Sequence, residues 1–204
     1  MSHIKAIIFD LGKVVFDLSF DRVFESWAVS SGMDVEVIKD KFVFDEVFEK
    51  FERNEISPDQ FRSLISGRLG MQLSDEEFDK GWCDLYLHPY ESIDDLLKNL
   101  KQNYKLVALT NTNAIHHAIW PEKYAKQLTH VEKIFSSNEL GVRKPESRIY
   151  KIVLDYLNLP PTQTLFLDDN IDNVEGAANF GIVSIVVSTQ DQIREDFRRL
   201  EILH

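Results

Sequence analysis

The 204-residue sequence predicts an α/β protein, a parallel sheet with flanking helices and an all-helical segment set into it. Two observations carry the sheet. Short apolar runs bounded by polar residues recur at Ala6–Phe9, Leu106–Leu109, Thr164–Leu167 and Ile182–Val187, as expected of strands buried on both faces. All but the first follow a segment of helical period, which is what a parallel connection needs. A third observation carries the insert: residues 15–88 hold helix signals and no comparable run.

In chain order, the first run leads into Asp10, with Gly12 two places on. Phe20, Val23, Phe24, Trp27 and Ala28 then fall at i, i+3, i+4, i+7 and i+8, an amphipathic helix that should end near Gly32. Ser57 before Pro58 marks a helix start, and Ser74 with Glu77 three residues later is a capping box. Pro89 closes the insert, and Ile93, Leu96, Leu97 and Leu100 carry a helix back to the sheet. Residues 1–14 and 89–204 are thus expected to form a Rossmann-like core, and residues 15–88 a helical cap domain. The second run ends in Thr110–Asn111, and Lys144–Pro145 precedes a helix from about Glu146 to Leu157. The third ends in Asp168–Asp169, with Asp172 opening the next helix.

Composition narrows the functions. A formal charge of -11 with no Lys/Arg stripe disfavours nucleic acid as a partner and leaves a small or metal-chelated anion open. The opening apolar run of four residues is far too short for a signal peptide or a membrane span, so a cytoplasmic location is expected. The single cysteine, Cys83, has no base placed with it and reads as a packing residue. The sequence carries no signal for an oligomeric state.

Three of the runs end in chemistry, and in open parallel sheets the crevice lies beyond the carboxyl ends of the strands. Asp10, Thr110, Asn111, Asp168 and Asp169, far apart in sequence, should therefore converge. Any one of them alone is most simply a polar strand-end residue; convergence gives them meaning. Carboxylates meeting in one crevice repel each other and are raised in pKa unless a cation neutralises them. An oxygen-only donor set suits a hard divalent ion, most simply Mg2+. Lys144, just ahead of a proline-started helix, would turn an ammonium and a helix N-terminus toward an anion. Thr110 and Asn111 add a hydroxyl and an amide.

The segments "IIFDLGKV", "LVALTN", "GVRKPESRIY" and "LFLDDNIDNVEGA" span nearly the whole chain. In that order they resemble the four motifs of the haloacid dehalogenase-like hydrolase superfamily, in the subgroup with a helical cap after the first strand. The resemblance implies a phosphatase acting on a small phosphorylated molecule. Asp10 would be the nucleophile that forms an aspartyl-phosphate, Thr110 and Asn111 would hold phosphate oxygens, and Lys144 would screen charge. Mg2+ would be bound by Asp10, Asp168 and the backbone carbonyl of Gly12, with Asp169 and Asp172 supporting from behind or through water.

"FDLGKVV", "TNTN", "WPEKY", "ELGVRKPESRIY" and "DDNIDNVEGA" look together most like the bacterial α-D-glucose-1-phosphate phosphatase branch. Most phosphatases of the superfamily carry a second aspartate two residues after the nucleophile as proton donor; here Gly12 stands in that place. Loss of such a group costs roughly 10² to 10⁴ in rate, so a steep dependence on leaving-group pKa is expected, mildest for an anomeric sugar phosphate. Asp17 or a cap residue reaching over the crevice would remove that dependence. Trp27, Phe44, Trp82 and Trp120 are candidate stacking surfaces for a sugar, although each is more simply core, and His116 and His117 read as satisfied or surface histidines. Hinges are expected near Val14–Asp17 and Leu87–Tyr90.

Three rivals remain. A haloacid dehalogenase needs no metal, but such enzymes usually carry a small hydroxyl residue where this chain has Asp168. A phosphomutase would need the aspartate absent at Gly12. A scaffold that binds a phosphorylated ligand without turnover stays open.

Overall fold

The computed structural model describes residues 3–203. The chain runs through β1 (Ala6–Phe9), β2 (Phe16–Leu18), α1 (Phe20–Ser31), α2 (Val35–Lys41), α3 (Glu46–Glu52), α4 (Pro58–Leu69), α5 (Asp75–Cys83) and β3 (Tyr86–Pro89). It continues through α6 (Ile93–Leu100), β4 (Lys105–Thr110), the single-turn helices α7 (Ala114–His117), α8 (Trp120–Lys123) and α9 (Ala125–Leu128), and β5 (Lys133–Ser136). The rest comprises α10 (Ser137–Leu140), α11 (Ser147–Leu157), β6 (Thr164–Asp168), α12 (Ile171–Asn179), β7 (Val183–Val186) and α13 (Gln190–Arg199).

Five strands form a parallel sheet in the order β5-β4-β1-β6-β7, the Rossmann-like arrangement expected. β1 sits at its centre, with Ala6 beside Lys105 on one edge and Thr164 on the other. All four of its residues are buried, as a strand covered on both faces requires. The side chains alternate between two layers. Ile7, Phe9, Leu106, Leu165 and Leu167 pack with Leu96 and Leu97 of α6 and Ile193 and Phe197 of α13. Ala6, Ile8, Val107, Leu109 and Phe166 pack with Ile149, Val153 and Leu157 of α11 and Ala177 of α12.

The four expected apolar runs are all strands. β5 escaped notice: it is an edge strand of four residues, only the last two of them buried, so no apolar run marks it. The helix signals fare well. α1 stops where Gly32 takes a left-handed φ of 71°, and Ser57–Gln60 and Ser74–Glu77 both close as capping boxes. The return helix α6 buries Ile93, Leu96, Leu97 and Leu100.

Helices α1 to α5 lie between β2 and β3, which pair antiparallel with Phe16 opposite Pro89 and Leu18 opposite Tyr86. The segments expected as hinges thus fall in or beside a short two-stranded ribbon. The insert has its own aromatic stack: Trp27 lies on Trp82 with 5.6 Å between centroids, and Phe51 on Phe61 at 4.1 Å. That stack is continuous with the first sheet layer, and Phe16 of the ribbon lies flat on Tyr124 at 3.8 Å. Among the described residues no helix is long and apolar enough to cross a membrane.

Candidate active site

Three strands deliver the site. Asp10 leaves the end of β1 with its N–H bonded to the Leu167 carbonyl at 2.8 Å, so the sheet ladder itself sets its position. Thr110 ends β4 and Asp168 ends β6. Asp10, Asp168 and Asp169 place carboxylate oxygens within 4.8 Å of one another.

Lys144 supplies the counter-charge. It is 1% exposed, and its three N–H groups find three acceptors: Asp10 Oδ1 at 2.8 Å, Asp168 Oδ2 at 2.6 Å and the Leu109 carbonyl at 2.9 Å. Asn111 fixes the lysine from behind. Its Nδ2 donates to the Lys144 carbonyl at 3.0 Å and its Oδ1 accepts the Lys144 N–H at 2.8 Å. The Asn111 side chain thus aims Lys144, and both Asn111 and Thr110, expected to hold phosphate oxygens, line the cavity.

The N-terminus of α11, expected to share an anion with Lys144, has no side-chain cap bond. Glu146, at its N-cap, turns its carboxylate to Arg53 of the insert at 3.2 Å, while the Lys144 ammonium points into the acid cluster. Gly176 lets α12 close on this loop, for a Cβ there would stand 2.9 Å from the Pro145 carbonyl oxygen. Asp172 also lies apart. It is exposed, its N–H serves the Asn170 side-chain cap, and it is absent from the cavity wall. The neighbour that supports Asp168 is Asn173, whose Nδ2 lies 3.0 and 3.1 Å from the two carboxylate oxygens. Tyr150 holds Asn173 in turn through its carbonyl at 2.7 Å. A helix residue one place after the acidic one is hard to choose from sequence, since only the turn of α12 decides which faces the strand.

Electrostatics favour a bound cation. Burial, with Asp168 and Asp169 adding to it, pushes the Asp10 carboxyl up to about 7 despite Lys144. Asp169 is raised for the same two reasons, burial and the Asp168 charge. Lys144 is held firmly charged by Asp10 and Asp168, which outweigh its own burial. One lysine against three carboxylates leaves net negative charge, and all the offered donors are oxygens, so the residues present fit Mg2+. Asp10 and Asp168 would hold it with the carbonyl of Gly12, which lines the same cavity.

That cavity has a volume of about 430 Å³. The insert forms much of its wall through Phe20, Phe44, Phe48 and Glu52. Of the aromatic candidates, Trp27 and Trp82 are core, whereas Trp120 and the half-exposed Phe44 reach the cavity. His116 also lines it, buried and satisfied, with Nε2 bonded to the Trp82 carbonyl at 2.9 Å and Nδ1 to Asn113 at 3.1 Å. Burial holds it neutral, its pKa pushed down to about 4. His117 bonds Asn138 and stacks on Trp120. Cys83 packs half-buried, its thiol pushed up to about 12 by burial and the Asp79 charge.

Sequence reasoning missed Arg143 and Glu52, partners 91 positions apart whose Nε and Oε2 lie 2.7 Å from each other. Arg143 also reaches Glu49 at 3.1 Å, so the residue beside Lys144 is clasped by the insert.

Residues 4–181 match the family model for haloacid dehalogenase-like hydrolases. D-ribitol-5-phosphate phosphatase of Bacteroides thetaiotaomicron is 27% identical over 183 residues, which cover 87% of this chain and 89% of that one. Sesquiterpene phosphatase of Aspergillus oryzae is 30% identical over 186 residues, covering 89% and 88%. A crystal structure of an HAD-family enzyme from Bacteroides thetaiotaomicron, an aspartate-to-alanine mutant in complex with magnesium and inorganic phosphate, matches with a TM-score of 0.83 at 28% identity. It covers 96% of this chain and 99% of that one. On the strength of the family match, and of motif residues meeting at the carboxyl ends of the parallel strands, the chain belongs to the haloacid dehalogenase-like hydrolases.

Proposed function

We propose that this chain is a Mg2+-dependent phosphomonoesterase that hydrolyses a sugar or polyol phosphate, α-D-glucose 1-phosphate being the first to try, through an aspartyl-phosphate on Asp10. One observation carries the reading: three carboxylates and one buried lysine meet at the ends of β1 and β6, in a cavity with an aromatic wall. Lys144 engages Asp10 Oδ1 and leaves Oδ2 to attack phosphorus. The same ammonium, and Thr110 beside it, would meet the phosphoryl oxygens. Mg2+, when bound, would neutralise the carboxylates and polarise the phosphoryl group.

Residues 15–88 act in this reading as a cap on a core of residues 1–14 and 89–204, turning on the β2/β3 ribbon and excluding water when seated. The aromatic wall offers a sugar its apolar face, and Glu52 and Arg143 offer its hydroxyls polar partners. A relative named for D-ribitol 5-phosphate supports a polyol or sugar phosphate. A crowded carboxylate cluster that calls for a cation weighs against the metal-free dehalogenase reading.

The test is phosphate release from α-D-glucose 1-phosphate, glucose 6-phosphate and D-ribitol 5-phosphate, with Mg2+ or with EDTA. Release with Mg2+, lost with EDTA and lost in Asp10→Asn, is expected. Metal-independent halide release from a 2-haloacid would instead establish a dehalogenase, and saturable binding without release a scaffold.

A further inference from the structure

We propose that Glu52, carried by the insert, is the proton donor and acceptor of this site in place of a residue after β1. The inference rests on the phosphatase reading above. A phosphoester oxygen leaves most easily when protonated, and beyond Asp10 the loop after β1 offers no carboxyl to protonate it. At Gly12 a Cβ would stand 2.5 Å from Leu18 Cδ1, so a side chain there would have to turn the end of that leucine aside.

Among the described residues, the carboxylates in the cavity wall are Asp10, Asp169 and Glu52. Asp10 is the nucleophile and Asp169 belongs to the cluster suited to the cation. Lys13, also in the wall, is paired with Asp17. Asp17 is outside the wall. Lys13 at 2.6 Å, the Leu18 N–H and the Tyr90 hydroxyl hold its carboxyl below the usual range, so it carries no proton to give. His116 has both ring nitrogens engaged and stays neutral. Tyr86 is buried and pushed well above the ordinary phenol range, too weak an acid for the task.

Glu52 is built for it. It ends α3, is 5% exposed, and gives Oε2 to Arg143 Nε at 2.7 Å, which orients the carboxyl and leaves Oε1 for a ligand. Arg143 is the chain neighbour of Lys144, whose Nζ lies 2.8 Å from Asp10, so one peptide unit ties the position of Glu52 to that of the nucleophile. The charged and titratable groups acting on Glu52 are Glu49 on its own helix, Arg143 and Lys144 on the loop before α11, and Tyr86 on β3. Burial prevails over the two cations and brings the carboxyl up to about 7, where it can both give and retake a proton.

Asp10 Oδ2 bonds to phosphorus, the ester P–O bond breaks, and the leaving oxygen takes the proton of Glu52. Water then bonds to phosphorus, its proton passes to the Glu52 carboxylate, and the P–O bond to Asp10 breaks to release phosphate. Because Glu52 belongs to the insert, the acid is in place only while the insert is seated on the core.

The experiment compares kcat/KM for p-nitrophenyl phosphate, phenyl phosphate, α-D-glucose 1-phosphate and a primary alkyl phosphate, with Mg2+, in wild type and Glu52→Gln. A shallow wild-type dependence on leaving-group pKa is expected, becoming steep in the variant, with the alkyl ester losing roughly 10² to 10⁴ more than the p-nitrophenyl ester. Equal losses on all esters would make Glu52 merely structural, and a steep wild-type profile would overturn the proposal directly. No turnover of any ester by wild type would overturn the phosphatase reading, and this proposal with it. Should Glu52→Gln not fold, Glu52→Ala with added acetate replaces it: acetate should restore the alkyl ester selectively, and an equal response of both esters overturns the assignment.

Discussion

Arg143 and Lys144 are consecutive cations that answer to different parts of the molecule. Lys144 is 1% exposed and bound to two carboxylates from strand ends, whereas Arg143, more open, is bound to Glu49 and Glu52 from the insert. The sheet can keep the first pairing whatever the insert does. The second exists only while the insert rests on the core. The difference teaches that the carboxylate cluster is set by the ladder of β1, β4 and β6, while the far wall of the cavity is set by ion pairs between insert and core.

The largest effect should come from Lys144→Met. It leaves Asp10 and Asp168 facing each other without their lysine, and removing one partner of a buried pair costs about 3 to 5 kcal/mol. Urea denaturation should show that loss, and phosphate release should fall to background. Unimpaired stability would mean that the sheet side is no more committed than the insert side.

Arg143→Met should cost less, about 1 to 3 kcal/mol, since Glu52 is left buried without its partner but can take up a proton. Substrate KM should rise while Mg2+ affinity, read by titration calorimetry, stays at the wild-type value. A matching collapse of Mg2+ binding would erase the distinction between the two cations.

The smallest effect at neutral pH is expected for His116→Gln, and it sharpens the comparison by probing the insert's contact with α7. The buried histidine is held near 4, below an ordinary value of about 6.5, so it is neutral in both folded and unfolded chains above that value. As pH falls from about 6.5 to 4 the unfolded chain binds the extra proton, and stability is lost by up to about 3 kcal/mol. In the glutamine variant this part of the acid slope should vanish from denaturation curves. Identical slopes would show that the ring is protonated in the fold.

Much of this architecture was legible. Ile7, Ile8 and their neighbours read as strands because burial on both faces demands unbroken apolar runs, and Gly32, Ser57 and Ser74 mark helix ends through purely local chemistry. Asp10, Thr110, Lys144 and Asp168 could be brought together on paper because parallel strands end on one side. What stayed hidden depends on side-chain direction or on long loops. The turn of amide atoms ties Asn111 to Lys144, the phase of α12 brings Asn173 to Asp168, and the packing of five helices brings Glu52 to Arg143. None of these leaves a mark in residue spacing.

Leu18, lying where a side chain at position 12 would go, bears on how such a site can change over generations. An aspartate entering at position 12 meets the end of that leucine side chain, which must turn aside to admit it, whereas a smaller residue 18 would admit it without that shift. Residues in contact couple, so substitutions at the two positions should not add. If Glu52 supplies the proton, nothing requires the space beside position 12 to stay open, and a ribbon side chain is free to occupy it.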